Sequence, residues 1–145
     1  MQFKVKRLSE SAIIPTYATE HSAGADLYNM KDNPVTVEPH ATVMIKTGLA
    51  IEIPEGYVGL VFARSGIASK RGLAPANKVG VIDSDYRGEW MVALHNHSDV
   101  AATVDGGERI AQVVVVPYVQ GGFVEVEELS DTERGEGGFG STGKK

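Results

Sequence analysis

The 145-residue sequence contains no cysteine. Without thiols the chain can form neither a disulfide framework nor a thiolate-ligated metal site, so its stability has to come from packing. The sequence also lacks an apolar run near the roughly 20 residues of a membrane-spanning helix. Its first ten residues, MQFKVKRLSE, lack the apolar stretch of a secretory signal. We therefore expect a cytosolic protein with no membrane partner.

Positive charge is also scarce. The chain has 14 Lys and Arg against 19 Asp and Glu, a formal net charge of -5 at pH 7. Binding to duplex nucleic acid depends on many phosphate contacts from Lys and Arg, so we expect no nucleic-acid partner. Any phosphate chemistry has to be local and built from a few placed donors. The length and a hydrophobic content of 42% are typical of one globular domain.

Helical periodicity is nearly absent, and alternation of apolar and polar residues takes its place. Alternation at 3–5, 43–45, 58–62 and 124–126 predicts half-buried strands, with Val58, Leu60 and Phe62 on the buried face of theirs. Turn signals such as PEG at 54–56, DGG at 105–107 and QGG at 120–122 separate these strands. Short strands with regular turns predict an all-β sandwich or barrel.

A run of four valines at 113–116 breaks the alternation. Such a strand has to bury both of its faces, and in so small a domain the second face is expected to meet another subunit. The sequence therefore predicts a dimer or trimer.

One short stretch, SGIASKRG at 65–72, has the character of a helix. Ser65 is a suitable N-cap and Gly72 a suitable C-terminal stop. The N-terminus of a helix, with Arg64 beside it, is typical of an anion site. A plain helix cap with a surface arginine explains the same residues equally well.

Two further stretches contain candidate chemistry. NKVGVIDSDYRGEW at 77–90 predicts a β-hairpin whose bend carries Asp83, Asp85 and Tyr86, either as an ordinary turn or as a small pocket with one carboxylate as general base. In DGGERIAQ at 105–112, Glu108 and Arg109 are explained as turn residues. Gln112 lies beside a buried strand and needs a hydrogen-bond partner.

The four histidines do not predict a metal centre. His95 and His97 lie two residues apart, on one strand face, but a third ligand at convincing spacing is missing. The last 15 residues carry almost no apolar pattern, which places them outside the core. They include RGEGGFGSTG at 134–143, in which half of the residues are glycine. We predict a main domain over 1–130 and a flexible C-terminal segment over 131–145.

Five stretches, in this order, resemble the motifs of the homotrimeric dUTPase family: AGADLY at 23–28, ARSGIA at 63–68, GVIDSDYRGE at 80–89, GERIAQ at 107–112 and the terminal RGEGGFGSTG. Each alone is weak, because glycine-rich strings are common. Five in order and spacing, over nearly the whole chain, are specific.

The resemblance implies a jelly-roll-like β-barrel trimer with one short helix and a mobile C-terminal tail. Its three active sites are each assembled from three subunits. The implied reaction is hydrolysis of dUTP to dUMP and pyrophosphate by water attack on the α-phosphorus, with Mg²⁺ held on the triphosphate. This reaction limits uracil in DNA and supplies dUMP for dTMP synthesis.

The resemblance also assigns roles to individual positions. Asp83 orients and deprotonates the attacking water, and Asp26 reaches the metal through water. Tyr86 lies against the deoxyribose and excludes UTP by shape. The other implied substrate contacts are those to uracil (Asn77, Gly80, Val81, Ile82), to the nucleotide (Met91), to the phosphate chain (Arg64, Ser65, Gly66, Gln112) and from the tail (Arg134, Phe139, Gly140, Ser141, Thr142).

Two alternatives stay open at this point. A dCTP deaminase shares the implied fold and trimeric assembly, but it needs an acid/base glutamate at cytosine, where this chain has the segment from Asp83 to Tyr86. A nucleotide-sensing regulatory protein on the same scaffold would bind dUTP without turnover.

Overall fold

A computed structural model describes residues 1–138, which form twelve strands and one helix. The strands of the first half are β1 (Lys4–Arg7), β2 (Thr16–Tyr17), β3 (Ala25–Tyr28), β4 (Val35–Val37), β5 (Thr42–Lys46), β6 (Leu49–Glu52) and β7 (Tyr57–Phe62). After the helix α1 (Ser65–Arg71) come β8 (Leu73–Pro75), β9 (Gly80–Ile82), β10 (Met91–Asn96), β11 (Ala102–Val104) and β12 (Arg109–Pro117). The predicted all-β fold with one short helix is confirmed.

Every strand pair is antiparallel. The largest sheet has five strands in the order β2-β3-β12-β7-β9, and a three-stranded sheet has the order β5-β10-β8. Two further pairs, β1 with β6 and β11 with β4, complete the arrangement. Strands adjacent in a sheet are mostly distant in sequence, as in a jelly roll, where the chain crosses repeatedly between sheets.

The buried core lies against one face of the five-stranded sheet. Val61 and Val113 are cross-strand partners on this face and are only 6% and 5% exposed. The other face carries the partners Leu60 and Val114, which are half-buried in this single chain. The sequence assigned the wrong face of β7 to the core. The small residue Gly59 occupies the inward face, because a Cβ there would lie 2.7 Å from Ile53 Cδ1.

The helix ends as predicted and begins one residue differently. Gly72 has φ 67° and ψ 18°, and its amide donates to the carbonyls of Ala68 and Ile67, which satisfies the last turn. The N-cap is Arg64, with extended backbone, and Ser65 is the first helical residue. The prediction of Ser65 as N-cap was wrong because the Arg64 carbonyl already accepts the first helical bond, from Ala68.

Two strand predictions are corrected. Residues 77–90 do not form a paired hairpin, because β9 pairs with β7 while β10 pairs with β5 and β8. Residues 124–126 form no strand and are exposed. No strand within the described part of the chain pairs with them, and an alternating pattern forms a strand only when a neighbouring strand is available. No helix among residues 1–138 has the length and apolarity to span a bilayer.

Candidate functional site

Polar side chains converge where β7 ends and α1 begins. Asp26 of β3 lies opposite Gln112 of β12, and Gln112 lies opposite Phe62, the last residue of β7. Three neighbouring strands thereby bring Asp26, Gln112 and the end of β7, which leads to Arg64, to one place. We call Asp26, Arg64, Ser65, Arg109 and Gln112 the strand-end cluster.

The carboxylate of Asp26 is the centre of this cluster. It is 6% exposed, and its Oδ1 accepts a hydrogen bond from Arg64 Nε at 2.6 Å. Its Oδ2 accepts one from Arg109 Nη1 at 3.3 Å. A buried carboxylate is tolerated when it is paired and hydrogen-bonded in this way. Arg64 is therefore fixed through its Nε, and its terminal Nη groups are not used by Asp26.

Gln112 has the hydrogen-bond partner that its position required. Its Nε2 donates to the carbonyl of Ala63 at 2.9 Å, which ties β12 to the residue before Arg64. The side chain packs against Gly24, where a Cβ would lie 2.4 Å from Gln112 Oε1. The glycine of the AGAD stretch thus makes room for Gln112.

The cluster borders an open cleft. Asp26, Arg64, Ser65 and Gln112 line a cleft of about 350 Å³ beside Gly24. Ser65 and Gly66 are exposed in the first turn of α1. A Cβ at Gly66 would meet no atom within 4 Å, so the chain itself leaves this backbone accessible. The arrangement offers guanidinium, hydroxyl and amide donors, which suit an anion such as a phosphate.

The second group of predicted residues lies on the segment 83–90, between β9 and β10, which we call the acidic loop. Asp83 follows Ile82, which pairs with Gly59, whereas Arg64 lies five residues further along the chain from Gly59. Because the pairing is antiparallel, the register continued to Asp83 falls at Val58, six residues before Arg64, so at about 3.3 Å per residue the two positions are about 20 Å apart along the sheet. Asp83 and Asp85 border a separate cleft of about 670 Å³, which shares no lining residue with the first. The structure therefore does not bring Asp83 together with the strand-end cluster in one chain.

Asp83 and Tyr86 have different surroundings within the acidic loop. The Asp83 carboxylate is exposed and has no hydrogen-bonding partner among the described residues. The Tyr86 hydroxyl donates to the Glu89 carbonyl at 3.0 Å, and its ring lies over Gly88, where a Cβ would be 2.4 Å from Tyr86 Oη. The loop therefore orients the tyrosine and leaves the aspartate free.

The predicted uracil contacts lie along β9. This strand is at the edge of its sheet, with β7 as its one neighbour in the described structure, so one row of its backbone groups is free. A Cβ at Gly80 would lie 3.4 Å from Asn77 Nδ2, which places the Asn77 amide beside this edge. Val81 is 64% exposed on the strand, and Met91, at the start of β10, is 43% exposed.

Among the predicted tail residues, only Arg134 lies within the described part. It is exposed, and its Nε donates to the Gly137 carbonyl at 2.7 Å. The predictions for Phe139, Gly140, Ser141 and Thr142 fall outside the described residues.

A divalent metal ion fits this site only when water and phosphate groups supply most of its ligands. No group of three or more His, Asp or Glu side chains among residues 1–138 is arranged to hold an ion. Both oxygens of Asp26 already accept from arginines. A carboxylate has about four lone-pair positions, so a water can still donate to Asp26. The donor set suits Mg²⁺ that keeps its water and is carried on phosphates, and does not suit an ion held by side chains alone.

Arg109 is the contact that sequence reasoning missed. The sequence indicates an ordinary turn residue with no specific contact at Arg109, yet its side chain donates a hydrogen bond to the buried Asp26. The available signal was weak: Ile110 and Ala111, two consecutive apolar residues, separate the polar residues Arg109 and Gln112 by three positions, which a regular strand would point to opposite faces.

The chain is similar over almost its full length to known proteins. Residues 10–143 match a family model described as dUTPase. The deoxyuridine 5'-triphosphate nucleotidohydrolase of Nautilia profundicola is 52% identical, covering 99% of this chain and 100% of the relative. The enzyme of the same name from Hydrogenobaculum sp. is 48% identical over the full length of both chains.

Solved structures agree with this. The Staphylococcus bacteriophage 80alpha dUTPase with dUPNHPP superposes with a TM-score of 0.90 at 35% identity and covers 98% of each chain. A further structure of the same phage dUTPase has a TM-score of 0.82 at 31% identity and covers 90% of this chain and 99% of its own.

Proposed function

This chain belongs to the dUTPase family, and from that premise we propose that it hydrolyses dUTP to dUMP and pyrophosphate, by attack of water on the α-phosphorus. The observation that carries the proposal is the match over residues 10–143, which includes every predicted site residue. The phage relative with dUPNHPP supports a nucleotide of this class as the ligand.

Asp83 is the proposed general base. An ionised carboxylate accepts the proton of the attacking water as the new P–O bond forms, and the bond from the α-phosphorus to the bridging oxygen breaks. Pyrophosphate leaves with that oxygen. The exposed Asp83 carboxylate, without a partner in residues 1–138, supports this role because nothing in the described chain competes for its lone pairs.

The free edge of β9 is the proposed reader of uracil. Backbone groups of residues 80–82 and the Asn77 amide can match the donor and acceptor pattern of uracil. With cytosine, whose amino group replaces an acceptor by a donor, some of these protein groups would be left unpaired. Tyr86 is proposed to lie against the deoxyribose, where a 2'-hydroxyl would clash, and Met91 to contact the nucleotide. The bond from Tyr86 to Glu89 supports a fixed ring position.

The strand-end cluster is the proposed phosphate site. Arg64, Ser65 and Gly66 would hold the phosphate chain, and Gln112 the α-phosphate or the water beside it. Mg²⁺, when bound on the triphosphate, neutralises phosphate charge during cleavage. Asp26 would hold it through a water molecule, which its remaining lone pairs allow.

The tail residues are proposed to complete the site, as a lid over 131–145 on a domain of 1–130. Arg134 would approach the γ-phosphate, where a cation stabilises charge that shifts during cleavage. Phe139 would stack on uracil, and Gly140, Ser141 and Thr142 would cap the γ-phosphate. Closure excludes bulk water from the reacting atoms.

A homotrimer with shared sites explains why the acidic loop and the strand-end cluster lie apart in one chain. The outer face of the five-stranded sheet supports self-association, because it is apolar and incompletely covered. It carries Val58, Leu60 and Phe62 of β7, Val81 of β9, and Val114 and Val116 of β12. A second copy on this face would bury both faces of the valine strand, as the sequence predicts.

The C-terminal arm, residues 118–130, supports the same proposal. Its apolar side chains are exposed, including Phe123 at 105% and Leu129 at 87%. Large apolar side chains at this exposure are typical of a segment that packs against another molecule.

Neither alternative function is favoured by the relatives. A dCTP deaminase would release ammonia from dCTP, and a sensor would bind dUTP without turnover. Pyrophosphate and ammonia release are therefore measured with dUTP, dCTP, dTTP and UTP, with and without Mg²⁺. We expect pyrophosphate release from dUTP to be far faster than from the other nucleotides; ammonia from dCTP, or stoichiometric dUTP binding without pyrophosphate, would overturn the proposal.

Shared sites have a separate test by complementation. A D83N chain and an R64Q chain, each much less active alone than the unchanged chain at a dUTP concentration near its KM, are unfolded together, refolded and assayed. If Asp83 and Arg64 act from different copies, about a quarter of the sites in random trimers have both functional residues. Activity that stays at the level of the separate variants would show that the two residues act from the same copy. The predicted cytosolic location stays a prediction.

A further inference from the structure

Asp26 lies between two arginines, and only one of them has a proposed contact with substrate. Arg64 Nε donates to Oδ1 at 2.6 Å and Arg109 Nη1 to Oδ2 at 3.3 Å. The Arg64 side chain is 26% exposed and the Arg109 side chain 48%. The arginines therefore hold opposite oxygens of one buried carboxylate.

The charges explain why a second arginine is useful there. Asp26 and Arg64 alone form a neutral pair, which attracts a polyanion weakly. Arg109 brings the formal charge of the group to +1. The group can then fix Arg64 with a carboxylate and still present a positive site to phosphates.

An irregularity in β12 puts Arg109 in this position. Ala111 pairs with Leu27 and Gln112 with Asp26, but Arg109 pairs with Tyr28, so one extra residue lies on β12 between 109 and 111. In a regular strand, residues 109 and 112 would point to opposite faces. The bulge turns Arg109 toward the face of Asp26 and Gln112, while Ile110 and Ala111 are both fully buried.

We propose that Arg109 is a positioning residue for dUTP hydrolysis, which acts through Asp26 to hold the Arg64 guanidinium toward the phosphate chain. The inference rests on the proposed phosphate-binding role of Arg64. With both oxygens held, the Asp26 carboxylate keeps one orientation, and Arg64 keeps the rotamer that its Nε contact requires. A group that is ordered before the ligand arrives loses less freedom on binding, which strengthens binding.

The test compares ligands with a triphosphate chain, dUTP and dUPNHPP, with deoxyuridine, which has no phosphate. In R109Q we expect KM for dUTP and Kd for dUPNHPP to rise about tenfold, the effect of about 1.4 kcal/mol. We expect kcat to stay within about threefold, because the base and the reacting atoms are untouched. The Kd for deoxyuridine should not change, because this nucleoside has no phosphate. A merely structural role would weaken both ligands alike and would overturn the inference.

R71Q is the matched control. Arg71 forms an ion pair with Glu108, next to Arg109 in sequence, with side chains 33% and 26% exposed, and neither residue contacts Asp26. R71Q should lower Tm by about as much as R109Q does, because each variant loses one partly exposed ion pair. It should leave the ratio of the dUPNHPP and deoxyuridine Kd values unchanged. An equal change of this ratio in R71Q would overturn a specific role of Arg109.

A double variant separates this inference from the proposed function. If Arg109 acts through Arg64, KM of R64Q/R109Q should lie within about twofold of R64Q alone. A further tenfold rise would overturn the inference, because Arg109 would then act independently of Arg64. If R64Q itself leaves KM for dUTP unchanged, the phosphate role of Arg64 fails and the inference falls with it. If R64Q raises KM and R109Q does not, the inference alone fails.

Discussion

The strand-end cluster and the acidic loop carry similar kinds of side chain in opposite environments. Asp26 is 6% exposed and is held by two guanidinium groups, whereas Asp83 is exposed and has no partner in the described structure. A carboxylate with both oxygens held by arginines orients its neighbours. A carboxylate with free lone pairs can take a proton. Environment, more than residue type, therefore separates the two proposed roles.

The comparison extends to stability. Asp26 is part of a buried network, so its loss would leave arginines without their partner and would cost stability as well as function. The acidic loop makes few contacts through Asp83, so changes there should affect chemistry alone. The predictions below test this difference.

The largest expected effect is that of D83N. We expect turnover to fall about 10²- to 10⁴-fold, because asparagine cannot accept the proton. Affinity for dUPNHPP should be retained, and the free energy of unfolding should change by less than about 0.5 kcal/mol, as for an exposed side chain. Pyrophosphate release, nucleotide titration and urea denaturation measure these quantities. Unchanged turnover would remove Asp83 as the base, and a large loss of stability would contradict the free carboxylate.

Deletion of residues 134–145 tests whether the two regions suffice without the tail. We expect turnover to fall about 100-fold, because Arg134 and the other donors proposed for the γ-phosphate are lost. Analytical ultracentrifugation should show the same oligomer for the truncated chain as for the full chain. A truncated chain that dissociates or unfolds would show that the tail is structural.

The sequence predicted most members of the strand-end cluster. For the acidic loop it predicted the residues but not the strand pairing on either side of them. The sequence correctly placed Arg64 between a strand and the short helix and Gln112 near the start of the valine strand, and it put Asp83 at a bend after a strand, where it follows β9. Because residue spacing is blind to pairing, it did not show that β9 and β10 belong to different sheets, and it predicted a hairpin. The contact from Arg109 to Asp26 depends on a bulge, which changes the face of a side chain without leaving a strong local signal.

Alternation was also a poor guide where a strand has two apolar faces. In β7 the larger residues Val58, Leu60 and Phe62 predicted the buried face, but the core takes Gly59 and Val61. Size indicates burial only when the other face is polar. In a chain that associates with copies of itself, the apolar residues of the outer face can be buried by the partner.

A smaller effect is expected from G24A, which disturbs the strand-end cluster through Gln112. The added Cβ would lie 2.4 Å from Gln112 Oε1 and has to displace the side chain, which breaks its 2.9 Å bond to Ala63. We expect a loss of stability of about 1 kcal/mol and a fall in kcat/KM of about tenfold. G121A is the control, because a Cβ at Gly121 would meet no atom within 4 Å. Equal effects of the two variants would show that space beside Gln112 is unimportant.

The smallest effect is expected from Y86F, which keeps the ring and removes the bond from Tyr86 to the Glu89 carbonyl. A neutral hydrogen bond of a side chain that is 43% exposed contributes about 1 kcal/mol or less, so the ring should loosen without leaving its place. We expect the ratio of kcat/KM for dUTP to that for UTP to fall about threefold, with little change for dUTP itself. An unchanged ratio would mean that packing over Gly88 alone fixes the ring. A hundredfold fall would mean that the hydroxyl contacts the substrate, which would make the acidic loop a binding surface as tightly specified as the strand-end cluster.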